Sequence, residues 1–99
     1  GSEQRGTRPV IIFQDNTLSQ ITTTVITIPI TSNLRRAALP TCLQISGGEG
    51  GLNRDSVALC HQIRVLDQTR LFKRLGKLEP STITALETTL LFTLGYSTS

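Results

Sequence analysis

The sequence predicts a small α+β domain: a curled antiparallel sheet or partly open barrel of the SH3-like kind, with its helices late in the chain. Two observations carry this. β-Branched runs crowd the first two thirds of the chain, and the hydrophobic period changes from that of a strand to that of a helix after Asp67. At 99 residues there is room for one modest core, hence a single domain over 1–99, without internal repeat, linker or low-complexity tract.

Residues 1–7, GSEQRGT, are polar and read as a loop before a strand at about 8–14. Pro9 fixes its own φ and pushes Arg8 away from helical conformations, so a guanidinium stands at a stiff strand entrance. Asp15 and Asn16 break that strand. Ile21, Val25, Ile26, Ile28 and Ile30 favour a second strand over 21–31. PTCLQIS at 40–46 alternates like a third, and the glycine cluster at 47–51 reads as a flexible turn. A fourth strand covers DSVALCHQIRVLD, with Val57, Leu59, His61, Ile63 and Val65 on one face and Ala58, Cys60, Gln62 and Arg64 on the other. Asp67 caps a short helix over TRLFKRL, which turns Leu71 and Leu75 inward and stops at Gly76. Glu79 and Pro80 open a second helix, on which Ile83, Leu86, Leu90 and Leu94 form one stripe.

Composition narrows the function. The formal charge is +3 and the pI near 9.4, and every basic residue except Lys73 and Lys77 is an arginine, whose planar fork matches phosphate oxygens. That favours an anionic partner. The aromatic residues are only Phe13, Phe72, Phe92 and Tyr96, too few for a single-strand binder that works by stacking bases. Cys42 and Cys60 have no CxxC spacing and His61 is the single histidine, which argues against a structural zinc site. Both cysteines read as buried thiols of a reduced, cytoplasmic protein. No run of eighteen apolar residues or charged-then-apolar leader is present, so neither membrane insertion nor export is expected.

If the first two strands pair, Arg8 and Thr31 share one end of a sheet. Thr31 and Ser32, followed by Arg35 and Arg36, then make a candidate oxyanion site. The competing readings are ordinary: a surface cation at a strand start for Arg8, and a turn-capping hydroxyl for Thr31.

The blocks GSEQRGTRPVIIFQDN, PITSNLRRAALPT, GEGGLNRDSVALCHQIRVLD and RLGKLEP, in this order and spacing, resemble the MazF/PemK family of bacterial toxin endoribonucleases over Gly1 to Gly95. The resemblance implies a PemK/CcdB-like, SH3-like barrel that forms a homodimer. It further implies metal-independent cleavage of single-stranded RNA, without cofactor, and inhibition by a cognate antitoxin with an acidic C-terminal segment. The family's catalytic arginine matches Arg8, its catalytic threonine matches Thr31, and the acidic residue of the first loop matches Glu3. Ser2, Gln4, Arg5, Arg35, Arg36, Ser56 and Gln62 fall in the segments implied to line the RNA. Arg54, Asp55 and Arg64 read more simply as a local ion-pair network. The implied chemistry is attack of a ribose 2′-hydroxyl on the adjacent phosphate, leaving a 2′,3′-cyclic phosphate and a 5′-hydroxyl, with preplaced positive charge for the developing dianion.

Two departures stand out. His61 occupies a position where the family typically has glutamate, so base preference does not carry over. Relatives also place a strand of RGD type and a DL(D/N)P turn before the GSEQ loop, and without them an uncovered sheet edge is expected. A catalytically weakened relative that binds antitoxin or RNA is therefore the alternative reading.

Overall fold

The computed structural model describes residues 7–96. Five strands, β1 (Val10–Ile12), β2 (Thr24–Thr31), β3 (Cys42–Ile45), β4 (Ser56–Leu59) and β5 (Arg64–Asp67), form one antiparallel sheet, joined by the short helix α1 (Asn16–Ser19) and followed by α2 (Pro80–Thr93). The α+β class and the C-terminal helix are as the sequence predicts. The sheet stays open rather than closing into a barrel: its order is β1-β2-β4-β3, with β5 also on β2.

β2 is the spine. Its β-branched run TVITIPIT pairs with β1 along one edge (Val10 opposite Pro29, Ile12 opposite Thr27). Along the other edge it pairs first with β5 (Thr24 opposite Asp67, Thr27 opposite Arg64) and then with β4 (Ile30 opposite Ala58, Thr31 opposite Val57). Pro29, which has no N–H to give, falls where that edge changes partner.

The expected single fourth strand is two. Thr27 lies opposite Arg64 and Ile30 opposite Ala58, so three steps along β2 span six along its partner and three residues are extruded. They are the 3-10 turn Cys60–Gln62. The alternation expected for this segment fails accordingly: residues 56–60 are all buried, and His61 and Gln62 are exposed. A continuous ladder would have set His61 opposite the fully buried Thr27, whereas the extruded turn leaves it exposed.

The expected helix over TRLFKRL does not form. Asp67 does cap, accepting from the Thr69 N–H (2.9 Å) and hydroxyl (2.8 Å), but only for a 3-10 turn at Gln68–Arg70. Residues 71–79 have no regular structure. A seven-residue helix is marginal alone, and this one lacks a docking face, since Phe72 and Leu75 are 79% and 48% exposed.

The glycine loop is held rather than loose. Gly51 (φ +78°) has no room for a side chain against the Leu75 carbonyl, and the Gly47 N–H donates to Asp55 Oδ1 at 2.8 Å. Glu49 Oε2 accepts the Glu79 N–H at 3.0 Å and so caps the start of α2 from across the loop.

Ile11, Ile28, Ile30, Ile45, Leu52, Ala58, Cys60 and Leu86 make the main core, with α2 docked through Leu86. Ile83 and Leu90 are half-buried, whereas Leu94 is exposed, so the α2 stripe ends a turn earlier than the sequence implies. Cys42 and Cys60 are buried free thiols. Burial, reinforced by the neighbouring Cys42, pushes the Cys60 thiol up to about 11. No helix among the described residues is long and apolar enough to cross a membrane.

Candidate active site

The register that pairs Val10 with Pro29 reaches Arg8 and Thr31 two residues further on. Pro9 holds the approach to β1 extended, so the guanidinium of Arg8 leaves the sheet beside the end of β2. Both residues line one groove of about 310 Å³, together with Pro9, Val10, Pro29, Ile30, Arg36, Leu59, Gln62 and Arg64.

Each polar member is placed by local chemistry. Thr31 closes β2, and its Oγ1 accepts the Asn33 N–H at 3.1 Å. Asn33 Oδ1 in turn accepts the Arg35 N–H at 3.2 Å and starts the 3-10 turn Leu34–Ala38, which swings Arg36 over the groove. Gln62 arrives on the extruded turn Cys60–Gln62. Arg64 begins β5, where its carbonyl accepts the hydroxyl of the fully buried Thr27 at 3.0 Å.

His61, on the same turn, lies beside Arg36: Nε2 is 3.4 Å from Arg36 Nη2, and Nδ1 is 3.0 Å from Thr41 Oγ1.

The described lining thus offers three guanidiniums, one amide and one hydroxyl over an apolar floor. That set suits a polyanion whose backbone must be gripped and polarised. A groove of about 340 Å³ between β1 and α2, lined by Ile12, Phe13, Gln14, Asp15, Ile83 and Glu87, carries the opposite charge.

Of the residues expected at the site, Arg8, Thr31, Arg36 and Gln62 converge on the groove. Arg35 is exposed outside the lining. Ser56 is 4% exposed and donates to the Arg54 carbonyl at 2.9 Å, within the sheet rather than in the groove. Ser2, Glu3, Gln4 and Arg5 lie outside the described residues. Arg64 is the residue that the sequence reading misplaced: it belongs to the groove, while Asp55 is engaged by Gly47. Its spacing of two from Gln62 was the available signal.

Residues 1–94 match the family of PemK-like, MazF-like toxins of type II toxin–antitoxin systems. The chain belongs to this family. It is 40% identical over 95 residues to the endoribonuclease MazF of Staphylococcus epidermidis, an alignment covering 96% of this chain and 79% of that one. Among solved structures it is similar to the Mycobacterium tuberculosis toxin MazF-mt6 (TM-score 0.82, 27% identity, 91% of this chain and 88% of that one). The fold of a mycobacterial endoribonuclease solved in complex with its cognate antitoxin superposes with a TM-score of 0.82 at 22% identity, over 96% of this chain and 87% of that one. In this MazF-like chain the antiparallel sheet and the C-terminal helix are therefore the family fold.

Proposed function

We propose that this chain is the toxin of a toxin–antitoxin pair and an endoribonuclease that cleaves single-stranded RNA by attack of a ribose 2′-hydroxyl on the adjacent phosphate. The supporting observation is the convergence of Arg8, Thr31, Arg36, Gln62 and Arg64 on one groove. As the 2′-oxygen bonds to phosphorus, the 5′-oxygen bond breaks and the phosphoryl oxygens carry the developing charge. Arg8 faces that charge from the stiff end of β1, and the Thr31 hydroxyl donates to one of its oxygens. Arg36 and Arg64 hold the flanking backbone. A proton leaves the 2′-hydroxyl, and the departing 5′-oxygen takes one from solvent water. Glu3 is our candidate for the first transfer, because a permanently charged arginine is a poor acid or base. The products are a 2′,3′-cyclic phosphate and a 5′-hydroxyl.

The arginines themselves supply the charge stabilisation, so we propose that the reaction needs no metal. A defined single-stranded RNA incubated in EDTA tests this directly. Cleavage with a cyclic phosphate on the 3′ end supports the reading, whereas intact RNA supports the alternative of a binding module. The partners proposed are a cognate antitoxin, whose acidic C-terminal segment competes for the groove, and a second copy of the chain. The exposed Leu91, Phe92, Leu94 and Tyr96 at the end of α2 offer apolar surface for the twofold interface.

A further inference from the structure

His61 is exposed on the extruded turn Cys60–Gln62, yet its ring is engaged on both sides. An arginine can only donate, so a hydrogen bond from Arg36 Nη2, 3.4 Å away, has a bare Nε2 of His61 as its acceptor. That tautomer carries its proton on Nδ1, which faces Thr41 Oγ1 at 3.0 Å and the Cys42 sulfur at 3.8 Å. The Gln62 amide lies 3.5 Å from the same Nε2. The turn itself does not need the imidazole. Its backbone is held by the Cys60 N–H on the Thr41 carbonyl (3.1 Å) and the Ile63 N–H on the Cys60 carbonyl (3.2 Å).

We propose that His61 is a positioning residue: fixed by Thr41, it holds the Arg36 guanidinium over the groove so that the RNA backbone meets a cation already in place. A surface arginine otherwise gives up rotamer freedom on binding, and a side chain held beforehand gives up less. The lone pair on Nε2 directs Arg36 without neutralising it, as a carboxylate would. Arg36 keeps its full charge for a phosphate.

This inference rests on the groove being the RNA site, and the test keeps the two apart. Affinity is read as Kd by fluorescence anisotropy, with an RNA that carries a 2′-deoxy residue at the scissile position. KM and kcat are read on the corresponding all-ribose RNA. His61→Ala and His61→Asn should weaken binding and raise KM about fivefold, the scale of one exposed charged hydrogen bond, with kcat nearly constant. His61→Asn keeps a donor for Thr41 but does not reach Arg36. His61→Gln, whose amide oxygen reaches the Nε2 position, should restore most of the affinity. In an Arg36→Ala background, His61→Ala should add almost nothing. Native affinity in both His61→Ala and His61→Asn, an undiminished fivefold effect in the Arg36→Ala background, or a loss confined to kcat would each overturn the proposal. If Arg8→Ala cleaves normally, the site reading itself fails. A flat His61 series beside an inactive Arg8→Ala removes only the role of His61.

Discussion

Thr31 Oγ1 accepts the backbone N–H of Asn33 at 3.1 Å, and because the oxygen is the acceptor there, its own proton stays available to a ligand. One hydroxyl thus caps the turn after β2 and still offers a donor to the groove. Thr31→Ser, which keeps the oxygen, should retain most of the cleavage and nearly all of the stability. Thr31→Val should lose both functions: cleavage falls at least tenfold, and stability drops by about 1 kcal/mol as the Asn33 N–H loses its partner. Single-turnover kinetics and thermal melts on the two variants separate the roles, and a Thr31→Val protein that melts lower but cleaves normally would leave only the cap.

Arg8 has the larger expected effect. Removing one preorganised donor from a site of developing charge lowers rates by about a hundredfold or more. Arg8→Ala should therefore cut kcat by at least that factor while RNA affinity, shared with Arg36 and Arg64, falls much less. Near-native cleavage by Arg8→Ala at saturating RNA would exclude the assignment.

Arg35 and Arg36 are neighbours in sequence with different surroundings, since only Arg36 lines the groove. An acidic peptide that occludes the groove should raise the apparent KM for RNA and lose potency as salt rises. Its affinity should fall severalfold for Arg36→Ala and barely for Arg35→Ala, as measured by calorimetry at low salt. Equal losses for the two variants would point to diffuse attraction instead of the groove.

Titration of the fold should show two limits. The Cys60 thiol is raised from 9.0 to about 11 by burial, so its contribution to stability is complete below pH 9 and is lost as pH rises towards 11. At the acid end, hydrogen bonds from Thr17 to Asp15 and from Thr69 to Asp67 hold both carboxyls below 3.8. Their contribution is present above that value and disappears as pH falls beneath it. Urea unfolding across pH 8–11 should slope downward in the native chain and flatten in Cys60→Ala. A slope unchanged by that substitution would assign the alkaline limit to another group.

The spine of the fold was legible because β2 is a dense β-branched run, and α2 because Pro80 and a leucine stripe announce it. The pairing of Arg8 with Thr31, our proposed catalytic residues, was legible for a related reason: proline beside Arg8 and a strand ending at Thr31 need only antiparallel pairing to meet. Cys60–Gln62 was not, since an extrusion is invisible to a period-two reading when residues on both sides of it remain apolar. Residues 69–75 misled for the opposite reason. TRLFKRL has helical propensity and a capping Asp67, but among the described residues Phe72 and Leu75 find little surface to bury against. Arg64 was assigned to salt bridging because register, which alone decides its position, depends on those three extruded residues.

β1 contributes only three residues to the sheet and, among the described residues, pairs with β2 alone. Arg8 therefore hangs from the shortest of the described strands, while Thr31 ends the long β2 and Arg64 begins β5. Edge strands of this kind open locally at a fraction of the free energy of global unfolding. Heating should silence the groove by peeling β1 away while the core around Leu86 is still intact, and cooling should restore it. An RNA bound at Arg8 should work in the opposite sense, zipping the edge shut and protecting the amides of Ile11 and Phe13 from exchange.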